Sequence, residues 1–175
     1  MKMIYKITFL DFWHLSSGLS AGAKFDSMVV KDKNNLPFVP AKTMKGLLRE
    51  IAEELSNQAF VNICFGNEGV NSGVCYFGNA TLESKTNEEI VKNNLQNELY
   101  KEIASTKIGK NGIAEDGSLR EIEVVIPISL YGKIENIPSE FEEDMKNSLK
   151  QIKKVGLNRN RGLGRCKIEI LGDVK

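Results

Sequence analysis

One histidine, His14, serves the whole chain of 175 residues. That scarcity excludes paired-histidine zinc sites and leaves a Cys-His site hard to build. A Ser-His-Asp triad would have to draw on His14, and no nucleophile elbow accompanies it. Cysteine is nearly as scarce. Cys64, Cys75 and Cys166 are odd in number and lack CxxC spacing. They read as reduced thiols of a cytoplasmic protein, with Cys75 and Cys166 in apolar strands of the core. No apolar run reaches 18 residues, so no membrane-spanning helix is expected. The opening MKMIYKITFL is too short an apolar run for a secretory leader, and is expected to continue directly as a strand. Neither a Walker-type GK[ST] nor a GxGxxG is present. Net charge is only +1, so any basic surface is local and balanced by acids elsewhere.

The length suits one domain, residues 1–175, with room for elaborated insertions. Hydrophobic content of 41% and charged content of 27% are ordinary globular values, so a core forms without disulfide staples. Against this plain background segment 155–165, VGLNRNRGLGR, stands out. It holds three glycines (Gly156, Gly162, Gly164), three arginines (Arg159, Arg161, Arg165) and no acid. Glycine lets a backbone approach a ligand closely. Arginine offers planar forks that match phosphate. The segment reads as a phosphate-gripping loop, or more plainly as a basic turn joining a helix to a strand.

Residues 3–10 alternate as a strand. Residues 12–40 are irregular and too long for a simple connection, which points to function or disorder. Pro40 precedes a helix to about residue 56, with Met44, Leu48, Ile51 and Leu55 as its apolar stripe. Lys42, Lys45 and Arg49 share another face near its start. Residues 73–82 read as a second strand. Thr86 opens a further helix with Glu89 at the capping-box position, and Ile90, Val91, Leu95, Leu99 and Ile103 supply its apolar side. Residues 105–119 are turn-rich and carry Lys107 and Lys110, as a hairpin or mobile finger would. Residues 120–134 give a long strand or hairpin broken or edged by Pro127. Residues 139–154 form a helix with acids at its start and lysines at its end, as the macrodipole favours. Ser139 and Glu142 suggest its capping box, and Phe141, Met145, Leu149 and Ile152 its core face. A last strand covers 165–171.

Without the insertions the order is β-α-β-β-α-β. That is the α+β, ferredoxin-like (RRM-like) arrangement, a four-stranded antiparallel sheet with two helices on one face. A long insertion, about 12–40, follows strand one. A thumb-like one, about 85–119, precedes strand three.

Four stretches carry a family resemblance: GLSAGAKFDSMVVKDKNNLPFVPAKTMKGLLRE (18–50), CFGNEGVNSGVCYFGNATL (64–82), ASTKIGKNGIAEDGSLREIEVV (104–125) and GLNRNRGLGRCKI (156–168). Together, and in this order, they resemble the RAMP superfamily of CRISPR-associated proteins, and within it the repeating backbone subunit of type III effector complexes. The resemblance implies a subunit that binds CRISPR guide RNA in antiviral defence and polymerises along it. Its implied partners are target RNA, further copies of itself and other RAMP subunits. It also implies a metal-dependent endoribonuclease using Mg²⁺ or Mn²⁺, with Asp26 of FDSMVVKD as the catalytic and metal-holding carboxylate. Met28 stands where the family has proline, Ala41-Lys42-Thr43 where it has Gly-Ser-Ser, and Ser20 where its first glycine turn often has histidine. The expected RNA contacts are Lys42, Lys45 and Arg49 at a helix N-terminus, whose free amides would attract phosphate, with Arg159, Arg161, Gly162, Gly164 and Arg165 in the glycine loop. Alternatives stay open at this point. Asp26 could be a silent loop-capping residue in a structural subunit. His14 could serve a metal-independent guide-processing nuclease, or be structural. Trp13, Phe25 and Phe38 could stack bases or fill the core.

Overall fold

The computed structural model describes residues 1–18, 27–55, 58–67 and 71–174. Strand β1 (Lys2–Phe9) buries every second side chain, Met3, Tyr5, Ile7 and Phe9, as period-two alternation requires when one face meets the core. Helix α1 (Ala41–Leu55) lays Met44, Leu48 and Ala52 into the same core. Ala52 takes the place expected of Ile51, which is half-buried, while Leu55 at the helix end is exposed. Strand β2 (Tyr76–Phe77) is much shorter than the expected 73–82. Beyond it Gly78, Ala80 and Thr81 still bond Lys133, Val39 and Tyr131, but as single contacts rather than a ladder.

Helix α2 covers only Ser84–Lys92 and has no buried residue. The expected helix through Ile103 stops at Asn93-Asn94, where Asn94 takes a positive φ of 56°. Leu99 instead closes a 3₁₀ turn, and Ile103 lies in strand β3 (Tyr100–Ser105). Their spacing by fours matched a helical stripe, but the left-handed Asn94 ahead of them ends the helix. Strand β4 (Arg120–Val125) pairs with β3 as a two-stranded hairpin, Ile103 opposite Ile122. Residues 105–119 lie between the two arms of this hairpin, and 120–125, expected within a long strand or hairpin over 120–134, pair with β3 instead. Strand β5 (Ser129–Glu135) follows the break at Pro127.

Helix α3 (Glu142–Gln151) buries Met145, Ser148 and Leu149 after a 3₁₀ turn over Ser139–Phe141. Neither expected capping box forms. Both helices start without a side-chain cap, and the Ser139 hydroxyl donates to Glu140 instead. α3 also ends three residues early, because Ile152 turns extended and drops into the core. Strand β6 (Cys166–Val174) completes an antiparallel sheet ordered β2-β5-β1-β6. The molecule is thus a mixed α+β structure of antiparallel sheets. The core side chains of β1, α1 and α3 join in one buried cluster.

Candidate nucleic-acid interface

Register decides where three segments outside the main sheet gather. Phe9 at the end of β1 lies opposite Cys166 at the start of β6, and Thr8 opposite Ser129 at the start of β5. The segment after β1, the β3–β4 hairpin and the glycine loop therefore all leave the sheet at one end. Residues 10–14 are clamped between the other two. On one side the amides of Leu10, Gly164 and Leu157 reach the carbonyls of Arg165 (2.8 Å), Phe12 (2.8 Å) and His14 (2.9 Å). On the other, Trp13 and Val125 exchange backbone bonds of 3.1 and 2.8 Å.

This clamp sets the hairpin root and the glycine loop against one another across a cleft of about 490 Å³. Lys107, Arg120 and Arg161 supply its charge, and Ser105, Thr106 and Ser118 its hydroxyls. Arg120, Arg159 and Arg161 are exposed and have no ion-pair partner among the described residues. A set of unpaired guanidinium groups beside hydroxyl and backbone donors suits a string of phosphates. Lys107 is shared with Glu115, 2.8 Å away.

The loop glycines divide by task. A Cβ on Gly156 would stand 2.3 Å from the His14 carbonyl oxygen, and one on Gly164 would stand 2.1 Å from that of Val155. Both have positive φ, 102° and 74°. Their lack of a side chain is thus needed by the fold, and Gly164 is buried. Gly162, with φ of 85° and nothing within 4 Å of its missing Cβ, is the glycine left facing open space.

The remaining basic candidates are differently placed. Arg165 forks onto Asp11, Nε to Oδ2 at 2.9 Å and Nη2 to Oδ1 at 3.1 Å, and so closes the base of the loop. Arg49 donates to Glu53 at 2.8 Å. Lys45 is half-buried with its ammonium 6.0 Å from the Phe77 ring centre, and Lys42 is exposed. The expectation of free amides at the start of α1 fails. The Ala41 amide donates to Asn79 Oδ1, and those of Thr43 and Met44 to the Pro40 carbonyl, which leaves that of Lys42. A helix end already capped from the neighbouring strand has few N–H groups left for an anion.

His14 is fully buried. Its Nδ1–H donates to the Glu123 carbonyl at 2.5 Å, and Nε2 shares a hydrogen bond with the Ser27 hydroxyl at 3.0 Å. With both nitrogens engaged in the interior, the ring has none left for acid–base work on RNA. Trp13 stacks on Phe9, ring centres 4.3 Å apart, and is buried too. Phe38 is half-buried. Asp26 and Phe25 lie outside the described residues.

The chain on either side of them is firmly held. Ser16 bridges Val29, the Ser17 amide donates to the Met28 carbonyl, and that of Val30 to the Leu15 carbonyl. Ser27 joins β4 through a bridge to Ile122. Glu123 is the hub of this contact and escaped the sequence reading. It is buried on β4, its Oε2 accepts from the Val29 amide at 3.1 Å, and its Oε1 from Lys31 Nζ at 2.7 Å. Lys31 also sits 4.0 Å from the Tyr100 ring centre. Burial, with the Glu123 and Asp32 carboxylates behind it, pushes the Tyr100 phenol above its ordinary range. An acid between Ile122 and the Val124-Val125 pair of the run REIEVV was the only signal for Glu123. Arg120 gave none, since its value lies in facing Arg161, which is distant in sequence.

Among the described residues no group of three or more His, Cys, Asp or Glu side chains could hold a metal ion. No helix among them is long and apolar enough to cross a membrane.

Comparison with curated proteins finds no match. Among solved structures, the fold is similar to a chain in the cryo-EM structure of the type III-B Cmr-β bound to cognate target RNA. That similarity has a TM-score of 0.77 at 10% identity and covers 97% of each chain. A chain of the apo-state type III-B Cmr-β is similar with a TM-score of 0.77 at 12% identity, covering 100% of this chain and 99% of that one. The family model for the RAMP superfamily matches residues 6–167, from within β1 through the hairpin and the glycine loop into β6. The chain belongs to the RAMP superfamily.

Proposed function

We propose that this chain is a guide-RNA-binding backbone subunit of a type III-like CRISPR effector complex, acting in the cytoplasm with target RNA, further copies of itself and other RAMP subunits. In this reading the sheet order β2-β5-β1-β6 is a ferredoxin-like (RRM-like) core whose insertions build the RNA surface. The observation that carries the proposal is the cleft between glycine loop and hairpin root, with Arg120 and Arg161 unpaired in its lining and Arg159 unpaired on the same glycine loop. Such a surface grips phosphates without reading bases, as a guide holder requires when pairing supplies specificity. That one of the similar chains comes from a complex bound to cognate target RNA agrees with it.

The test is a salt titration of binding to a single-stranded RNA. Replacing Arg120, Arg159 and Arg161 together with Ala should weaken binding about tenfold or more at low salt and flatten the plot of log K against log salt by about 2, at roughly 0.7 per lost phosphate contact. Arg49→Ala and Arg165→Ala should do less, since Glu53 and Asp11 already occupy those side chains. Equal affinity and slope for the folded triple variant would reject the cleft as the RNA site.

The endoribonuclease part of the proposal rests on Asp26. In this reading Asp26 is the carboxylate through which Mg²⁺ or Mn²⁺ would act on guide-paired target RNA.

A further inference from the structure

Cys64 and Cys75 are both buried, the first in the π-helical turn Val61–Phe65 and the second immediately before the edge strand β2. The Cys75 amide donates to the Cys64 carbonyl at 3.3 Å, and the neighbouring Val74 amide to that of Ile63 at 2.9 Å. A Cβ on Gly73 would lie 2.3 Å from the Cys64 carbonyl oxygen, so the two backbones are in direct contact. That contact keeps the two Cα atoms within reach of the roughly 4.4–6.8 Å a disulfide spans. The Cys75 thiol donates to the Asn136 carbonyl at 3.7 Å.

From this arrangement we infer that Cys64 and Cys75 are a dithiol modification site, converted by small peroxides into an intramolecular disulfide. The two thiols are not equivalent. The hydrogen bond from Cys64, aided by the Lys45 ammonium, holds the Cys75 thiol below its ordinary range despite burial. The same hydrogen bond, burial and the nearby Cys75, Glu140 and Asp144 push Cys64 up. Cys75, the less buried of the two and the one beside the sheet edge, is the attacking sulfur and Cys64 the resolving one. Cys75 is 6% exposed against 0% for Cys64, and it adjoins a strand of only two residues at the sheet edge. Such short edges open locally more readily than the core. Cys166 makes the contrast, its thiol pushed up to about 12 by burial.

The step balances. The Cys75 thiolate attacks a peroxide oxygen, the O–O bond breaks, and hydroxide leaves and takes a proton. Cys64 sulfur then attacks the sulfenic sulfur, the S–S bond forms, and the sulfenic oxygen leaves as water with the Cys64 proton. Two thiols are oxidised and one peroxide is reduced to two waters.

The experiment treats the folded full chain with hydrogen peroxide, alkylates the free thiols after unfolding, and reads intact mass and cross-linked peptides. The expected result is a loss of two alkylatable thiols together, a mass drop of two hydrogens reversed by dithiothreitol, and a Cys64–Cys75 peptide link. Cys166→Ser should leave that result unchanged, and Cys64→Ser should stop at a sulfenic acid on Cys75 that dimedone traps. Three thiols still free after treatment, sulfinic acid without a cross-link, or a link through Cys166 would overturn the inference.

Discussion

Glu123→Ala should lower the stability of the folded chain by about 3 kcal/mol, the low end of what breaking a buried ion pair costs. The carboxylate is the shared acceptor for the Val29 amide and the Lys31 ammonium. Its side chain is 10% exposed and that of Lys31 is 21% exposed, so water replaces it poorly. Removing it strands a cation and an amide in the seam between segment 27–31 and β4. Lys31 keeps its contact with the Tyr100 ring, which limits the loss. In a chain of this length that corresponds to a fall in Tm of roughly 6–12 °C. Denaturant unfolding checks the number, and a double-mutant cycle with Lys31→Met checks the cause. If Lys31→Met costs as much in the Glu123→Ala background as alone, the pair is not coupled and the explanation fails.

Asp26→Ala should remove divalent-dependent cleavage of guide-paired target RNA while assembly on guide RNA continues. The prediction rests on the FDSMVVKD resemblance. Ser27, the next residue, is fastened to His14 and β4 by side-chain and backbone bonds that do not involve the Asp26 carboxylate. The replacement should therefore leave this anchor in place, and unfolding should change by no more than about 0.5 kcal/mol, the range for substitutions that break none of these bonds. Cleavage is read with Mg²⁺ or Mn²⁺ and with EDTA, on the assembled complex. Wild-type cleavage by the variant would reject Asp26 as catalytic. Absence of cleavage by the wild-type assembly would favour the purely structural subunit.

Elements with strong periodicity were legible in the sequence. β1 alternates cleanly, and α1 and α3 carry apolar residues at helical spacing beside polar faces. α2 misled because Leu95, Leu99 and Ile103 keep a spacing of four through a turn, a 3₁₀ segment and a strand. The Asn93-Asn94 pair was the overlooked breaker. β2 misled because an apolar run was read as continuous pairing, whereas Asn79 within it turns to cap α1. The basic glycine loop was legible from composition, but the state of each arginine was not. The partner of Arg165 is Asp11, 154 residues away, and only the register of β1 with β6 brings them together. The cleft was hidden for the same reason: Arg120 and Arg161 meet through tertiary packing alone.

The central claim is that RNA lies between the glycine loop and the hairpin root, and hydrogen exchange of the full chain with and without single-stranded RNA tests it most directly. In the free chain the exposed hairpin tip, residues 106–119, should exchange fast. With RNA, amides in 157–163 and 105–120 should slow together, while those at the start of α1, already capped by Asn79 and Pro40, should change little. Slowing confined to the start of α1, or no slowing in either the loop or the hairpin at saturating RNA, would contradict the account.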